Sequence, residues 1–220
     1  MTAIEEIKEA INLWSKERTD GEKAKILLGK GSFFKISRLD FEKWGELKVK
    51  PEWIYAYGGD FKDVFKFVLI DSESAQKPLD DKTLPYTFVK DFVKDFDVNS
   101  PDFLMDIKAG NIEVNDALKR VMRWDIMMDS WIGEQTSTTP DAKGVTKVFK
   151  IPFESLKNAF ENSNVDEVLA VIGLKPSLDN SGYDTDLILW STSSIKGTGD
   201  LKVENLVKPC PPYCDLPTWP

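Results

Sequence analysis

The chain has 220 residues, with 37 acidic against 29 basic side chains, no histidine and two cysteines. Its 41% hydrophobic and 30% charged content is that of a folding chain rather than a disordered one. The net charge of -8 opposes binding to nucleic acid or anionic lipid, and the missing imidazole excludes His-based triads and the commonest metal ligand. The start, Met1 to Glu6, lacks a basic and then apolar leader, and no run approaches the roughly 18 apolar residues of a membrane span. A cytoplasmic protein without a cofactor is the expectation, with no nucleic-acid or membrane partner.

In chain order, Thr2 and Glu5 form a capping-box pattern ahead of Ile4, Ile7, Ala10, Ile11 and Trp14, so residues 3 to about 17 are predicted as an amphipathic helix. Lys23 to Leu28 adds helix before Gly29 and Gly31. A strand at 33 to 36 leads into a short helix opened by Ser37 and Asp40. Strands are predicted at 53 to 57 and 64 to 70, with Gly58-Gly59-Asp60 as the turn between them. Residues 71 to 83 read as loop, and Phe88, Phe92 and Phe96 at i, i+4 and i+8 predict a helix over 86 to 96. Ser100 to Gly110 reads as a further short helix, Val114 to Ile132 as a long one, and Gln135 to Gly144 as a linker.

The second half repeats this grammar. Phe34-Lys35-Ile36 matches Phe149-Lys150-Ile151 at a shift of 115 that runs without a gap to Gly58 and Gly173. Val68-Leu69-Ile70 matches Ile188-Leu189-Trp190 at a shift of 120, and Trp14 matches Trp131 at 117. Strands therefore follow at 146 to 151, 168 to 172 and 186 to 192. The expected fold is α+β, with two pseudo-symmetric halves each reading helix-strand-helix-strand-strand. Residues 1–74 form the first repeat, 75–111 a helical connector, 112–205 the second repeat and 206–220 a proline-rich tail.

Few places could carry chemistry. Asp125 and Asp129 fall within or at the edge of the apolar side of the long helix, where a carboxylate needs a partner or a shifted pKa. They are candidates for a general acid/base pair or half of a carboxylate-rich metal site. Asp179 to Asp184 has oxygen ligands but not EF-hand spacing, and Gly197-Thr198-Gly199-Asp200 has no following lysine and serine, so both read as turns. Trp53, Tyr55 and Tyr57 alternate onto one strand face, which is either core or a contact surface.

The tail holds Cys210, Tyr213, Cys214 and Trp219 among prolines. It reads as an extended segment that lies on the protein's own surface, or as a recognition peptide contributing little to stability, with both thiols free in a reducing cytosol and a strained Cys210–Cys214 bridge permitted under oxidation. Two thiolates make only half of a tetrahedral site, so no metal is expected. The leading expectation is a non-catalytic binding or assembly protein that engages a protein partner or forms a homo-oligomer, with the Cys-Pro-Pro-Tyr-Cys tail as one contact. The alternative is a carboxylate-based or metal-dependent hydrolase centred on Asp125 and Asp129.

Overall fold

The structure is a computed structural model that describes residues 2–94, 112–137, 144–163, 165–177, 182–191, 202–204 and 208–210. Among them are the helices α1 (Ala3–Glu17), α2 (Gly21–Leu28), α3 (Arg38–Gly45), α4 (Val114–Gln135) and α5 (Phe153–Ser163). The strands are β1 (Phe33–Ser37), β2 (Trp53–Asp60), β3 (Phe65–Asp71), β4 (Thr87–Asp91), β5 (Val148–Pro152), β6 (Glu167–Pro176), β7 (Tyr183–Ser191), β8 (Lys202–Glu204) and β9 (Lys208–Cys210). The fold is mixed α+β with antiparallel sheets, and no helix of the described residues is long and apolar enough to cross a membrane.

One sheet runs β1-β6-β7-β8 and the other β4-β3-β2-β5-β9. Each therefore combines strands from both ends of the chain: β1 pairs with β6, placing Phe34 opposite Ala170, and β5 pairs with β2, placing Phe149 opposite Ala56. Alternate residues of both sheets meet in one core that includes Phe34, Ile36, Ile54, Phe67, Leu69, Ile151, Val168 and Leu189. The sheets thus pack face to face, and the rings of Phe34 and Phe67 lie 4.4 Å apart across the gap.

One open side is bridged by a strand continuation, and short strands extend each sheet on the other. After β4 the chain swings to β1, where Val93 accepts from Ser32 N at 2.7 Å and donates to Phe33 O at 2.9 Å. On the other side β8 lies on β7, while β9 pairs with β5 and Cys210 O accepts from Lys147 N at 2.7 Å. Edges that would expose unpaired backbone are covered in this way.

α1 and α4 cover the outer faces. The predicted capping box forms, with Glu5 N donating to Thr2 Oγ1 at 3.2 Å and Thr2 N to Glu5 Oε2 at 2.7 Å. Ile7 and Ile11 of α1 then pack on Tyr55, Tyr57, Val68 and Ile70. On the opposite sheet, Val114, Ala117 and Val121 of α4 pack on Val171, Ile188 and Trp190. Glycines bring these helices close. A Cβ on Gly58 would lie 2.4 Å from the Trp14 indole nitrogen, and one on Gly173 would lie 3.0 Å from Arg120 Cβ and 3.1 Å from its backbone carbon. The Trp14 indole, fully buried, donates to Thr146 O at 3.3 Å, and those of Trp44 and Trp131 donate to Tyr86 O and Tyr183 O at 2.9 and 2.7 Å. α3 and α5 meet through Phe41, whose ring stacks on those of Phe153 and Phe160 at 5.2 and 5.0 Å. Arg38 donates to the carbonyls of Val165 and Phe160 at the end of α5.

Two expectations are corrected. The helix over 86 to 96 is instead strand β4 followed by the Val93 bridge, with Phe96 outside the described residues. Spacing of i, i+4 also suits a strand when the residue between is accommodated, and here Lys90 reaches Asp40 at 2.5 Å. The connector at 75–111 is therefore not helical where it is described, apart from a single 3-10 turn at Leu84–Tyr86. The expected short helix from Ser100 to Gly110 lies outside the described residues. Nor is Gly58-Gly59-Asp60 the turn. All three belong to β2, and the chain reverses at Lys62-Asp63, both at positive φ (56° and 66°), between the mutually bonded Phe61 and Val64. This is a two-residue primed turn without glycine.

Gly133 sits in the last third of α4, and a Cβ there would meet nothing within 4 Å. Gly133→Ala should therefore raise stability by about 0.5–1 kcal/mol. Gly58→Ala and Gly173→Ala should each lower it by about 1–3 kcal/mol, because a helix backbone or a buried indole has to move. Urea unfolding of the three variants measures this directly.

Candidate binding surface

The two aspartates singled out by the sequence do not lie in the apolar seam. The buried side of α4 is Ala117, Val121, Trp124, Trp131 and Ile132, and Asp125 and Asp129 are both exposed. Helical rotation explains this: one residue past Trp124, the chain has already turned about 100° away from the sheet. Partial loss of solvent pushes the Asp125 carboxyl above its ordinary value, opposed by the Lys94 charge. Among the described residues no group of three or more His, Cys, Asp or Glu side chains is placed to hold a metal ion.

The aromatic face of β2 is largely covered. Tyr57 is fully buried and Tyr55 nearly so beneath α1, while Trp53 at the strand start is half-buried. Burial pushes the Tyr57 hydroxyl well above the usual phenol range. Tyr55 and Tyr57 therefore belong to the core, and what remains accessible is the Trp53 indole with Lys150 Nζ 4.9 Å above its ring.

The tail begins inside the fold. Cys210 is 1% exposed, packs with Ile7, Ile11 and Val148, and is disulfide-bonded. The expected free thiol is thus corrected: pairing of β9 with β5 fixes Cys210, and the only other cysteine in the sequence is Cys214, four positions on. Cys214, Tyr213 and Trp219 lie outside the described residues.

Two charged clusters joined residues too far apart in sequence to be foreseen. The buried Asp186 accepts from Arg120 of α4 at 2.7 Å and from Lys175 at 3.3 Å, fastening α4 to its sheet. Lys23 of α2 reaches Asp63 at 2.5 Å, Glu17 at 3.6 Å and Asp60 at 4.0 Å, tying α1, α2 and the β2–β3 hairpin together. Burial, and then the neighbouring Asp60 carboxyl, raise the Glu17 pKa, with Lys23 opposing. The first cluster sets two cations on one buried carboxylate, and the second sets one lysine among three carboxylates.

What α4 presents outward is different. Ile126 is 77% and Met122 50% exposed, one turn apart. Placed at 100° per residue, Asp125 and Asp129 flank them on one side, and Asp116 and Glu134 on the other. Lys119 is committed to Asp116 at 3.4 Å, and Arg123 is turned over the Tyr183 ring at 5.4 Å. The result is an apolar pair in an acidic frame. In the sequence, the signal for Met122 and Ile126 is two large apolar residues on the side of the helix opposite Trp124.

Comparison with protein-family models, with curated proteins and with solved structures found no match to this chain.

The Glu17 shift sets a pH dependence. A carboxyl whose folded pKa is raised binds its proton more tightly when folded, so its contribution is lost as pH rises from 4.5 through the folded value. Thermal melts between pH 4.5 and 8 should show this loss, and Glu17→Gln should flatten that part of the profile. For the disulfide, closing so short a loop is worth about 2 kcal/mol. Chemical unfolding with and without a reductant should differ by that amount, and equal midpoints would mean that the bridge adds nothing.

Proposed function

We propose that this chain is a non-catalytic binding or assembly protein built from two copies of one structural unit. The second part of this reading is supported by reciprocal pairing. If Phe34 corresponds to Phe149 and Ala56 to Ala170, then Phe34–Ala170 and Phe149–Ala56 are the same contact made twice, as are Ile36–Val168 and Ile151–Ile54. The hairpin registers agree, because Val68 then corresponds to Ile188. Gly59 corresponds to Gly173, each with a residue of the covering helix close above it, Ala10 in one case and Arg120 in the other. Ile7, Ile11 and Trp14 then correspond to Ala117, Val121 and Trp124, so Trp14 finds Trp124 rather than Trp131, and the gapless shift of 115 slips by one residue at β2. The closing contacts also repeat, Phe33–Val93 as Val148–Cys210.

The binding reading is carried by the exposure of Met122 and Ile126. Large apolar side chains left in water together on an otherwise well-packed helix mark an interaction surface more readily than a catalytic one. The interior between the sheets is filled with side chains, and the buried Asp186 is taken up by Arg120 and Lys175. The contact is assigned to α4 rather than to the start of the tail, which is used in the sheet. The disulfide at Cys210 weighs toward an oxidising compartment rather than the cytoplasm.

The hydrolase alternative is separated by metal addition. Thermal unfolding with millimolar Mg²⁺ or Ca²⁺ should leave the midpoint unchanged, and Asp125→Asn with Asp129→Asn should behave as the parent. A rise of several degrees that the double substitution abolishes would assign these residues to a metal site and end the non-catalytic reading.

A further inference from the structure

We infer that the outer face of α4 is a docking site for a cationic amphipathic segment of a protein partner, an inference that rests on the binding reading above. The apolar anchor is Ile126 with Met122. A helix laid in parallel would meet this i, i+4 pair with its own apolar stripe. Charge sets the class of partner. The exposed charged residues of α4 are Asp116, Asp125, Asp129 and Glu134 against Lys119, and pairing of Lys119 with Asp116 leaves Asp125, Asp129 and Glu134 as the acidic surplus. A chain of net charge -8 repels its own copies at such a face, whereas lysine- or arginine-bearing segments are drawn to it.

Gly133 gives a second, independent reason. It lies about 20° from Ile126 around the helix, two turns further on, with empty space where its Cβ would be. Glycine in a helix interior is unfavourable relative to alanine. No atom of the described residues lies where that side chain would go. A partner backbone crossing the face close to α4 supplies the reason, since only glycine leaves room for it.

The test uses a fluorescein-labelled synthetic helical peptide containing only leucine and lysine, titrated with the full-length chain and read by anisotropy at low and physiological salt. The parent should bind it, more weakly as salt rises. Ile126→Glu should weaken binding at least about tenfold, the scale of a lost interface anchor. Asp125→Lys with Asp129→Lys should weaken it similarly and reduce the salt dependence. Leu39→Glu removes an equally exposed apolar side chain on α3 and should leave binding unchanged. Equal losses in the Ile126 and Leu39 variants would show non-specific adsorption and overturn the assignment. No binding by a folded parent would overturn this partner chemistry while leaving the non-catalytic reading to the metal test. Self-association that Ile126→Glu abolishes would give the face to a second copy and overturn it as well.

Discussion

The pairing of β1 with β6 and of β5 with β2 is the constraint to which the other elements answer. It joins residues more than a hundred positions apart, such as Lys35 and Glu167 at 2.8 Å, so neither sheet exists until both ends of the chain are present. Once these strands pair, the Phe–Ala and Ile–Val contacts set the distance between the sheets. The helices that follow β1 and β5 are brought together at Phe41, and the outer faces become platforms for α1 and α4. Cooperativity follows, because both sheets contribute side chains to the one core between them.

Where corresponding positions differ, the chemistry differs with them. Lys35 and Lys150 occupy equivalent places under the proposed duplication. The first meets a carboxylate, Glu167, and the second an indole, Trp53. An exposed ion pair weakens with salt, while a cation over an aromatic face keeps much of its attraction because the lysine stem also packs on the ring. The side of the molecule bearing Trp53 is thus stabilised by contact area, and the side bearing Glu167 by charge.

Legibility in the sequence tracked how local each cause was. The first helix was readable because its capping box and apolar spacing lie within fifteen residues, and the strands because β-branched and aromatic runs are bounded by turn residues. β4 was misread because Phe88 and Phe92 satisfy both periodicities, and what decides between them is the antiparallel pairing with β3 that sets Phe88 opposite Leu69. Gly58 and Gly59 were misread as a turn because glycine signals either a reversal or a close approach, and only Trp14 distinguishes the two. Asp125 and Asp129 were legible as residues within or at the edge of the apolar side, and the structure places both at the exposed edge. The helix axis alone does not say which edge of a broad apolar side meets the sheet. Met122 and Ile126 were hidden for the same reason. The role of Cys210 needed the pairing of β9, which no terminal proline pattern suggests.

The chain reverses at Lys62-Asp63 with φ of 56° and 66°, so the β2–β3 hairpin closes through neighbours and needs nothing from the far end. β1 has no such freedom, since its partner β6 is made 130 or so residues later. At about 5–20 residues per second, a ribosome leaves β1 unpaired for roughly 7–26 s, while a hairpin forms in about 1–10 μs. The nascent chain therefore carries a finished hairpin beside an open strand bearing Phe33, Phe34 and Ile36 until synthesis is nearly complete. For those seconds this strand is the part of the nascent chain most open to mispairing.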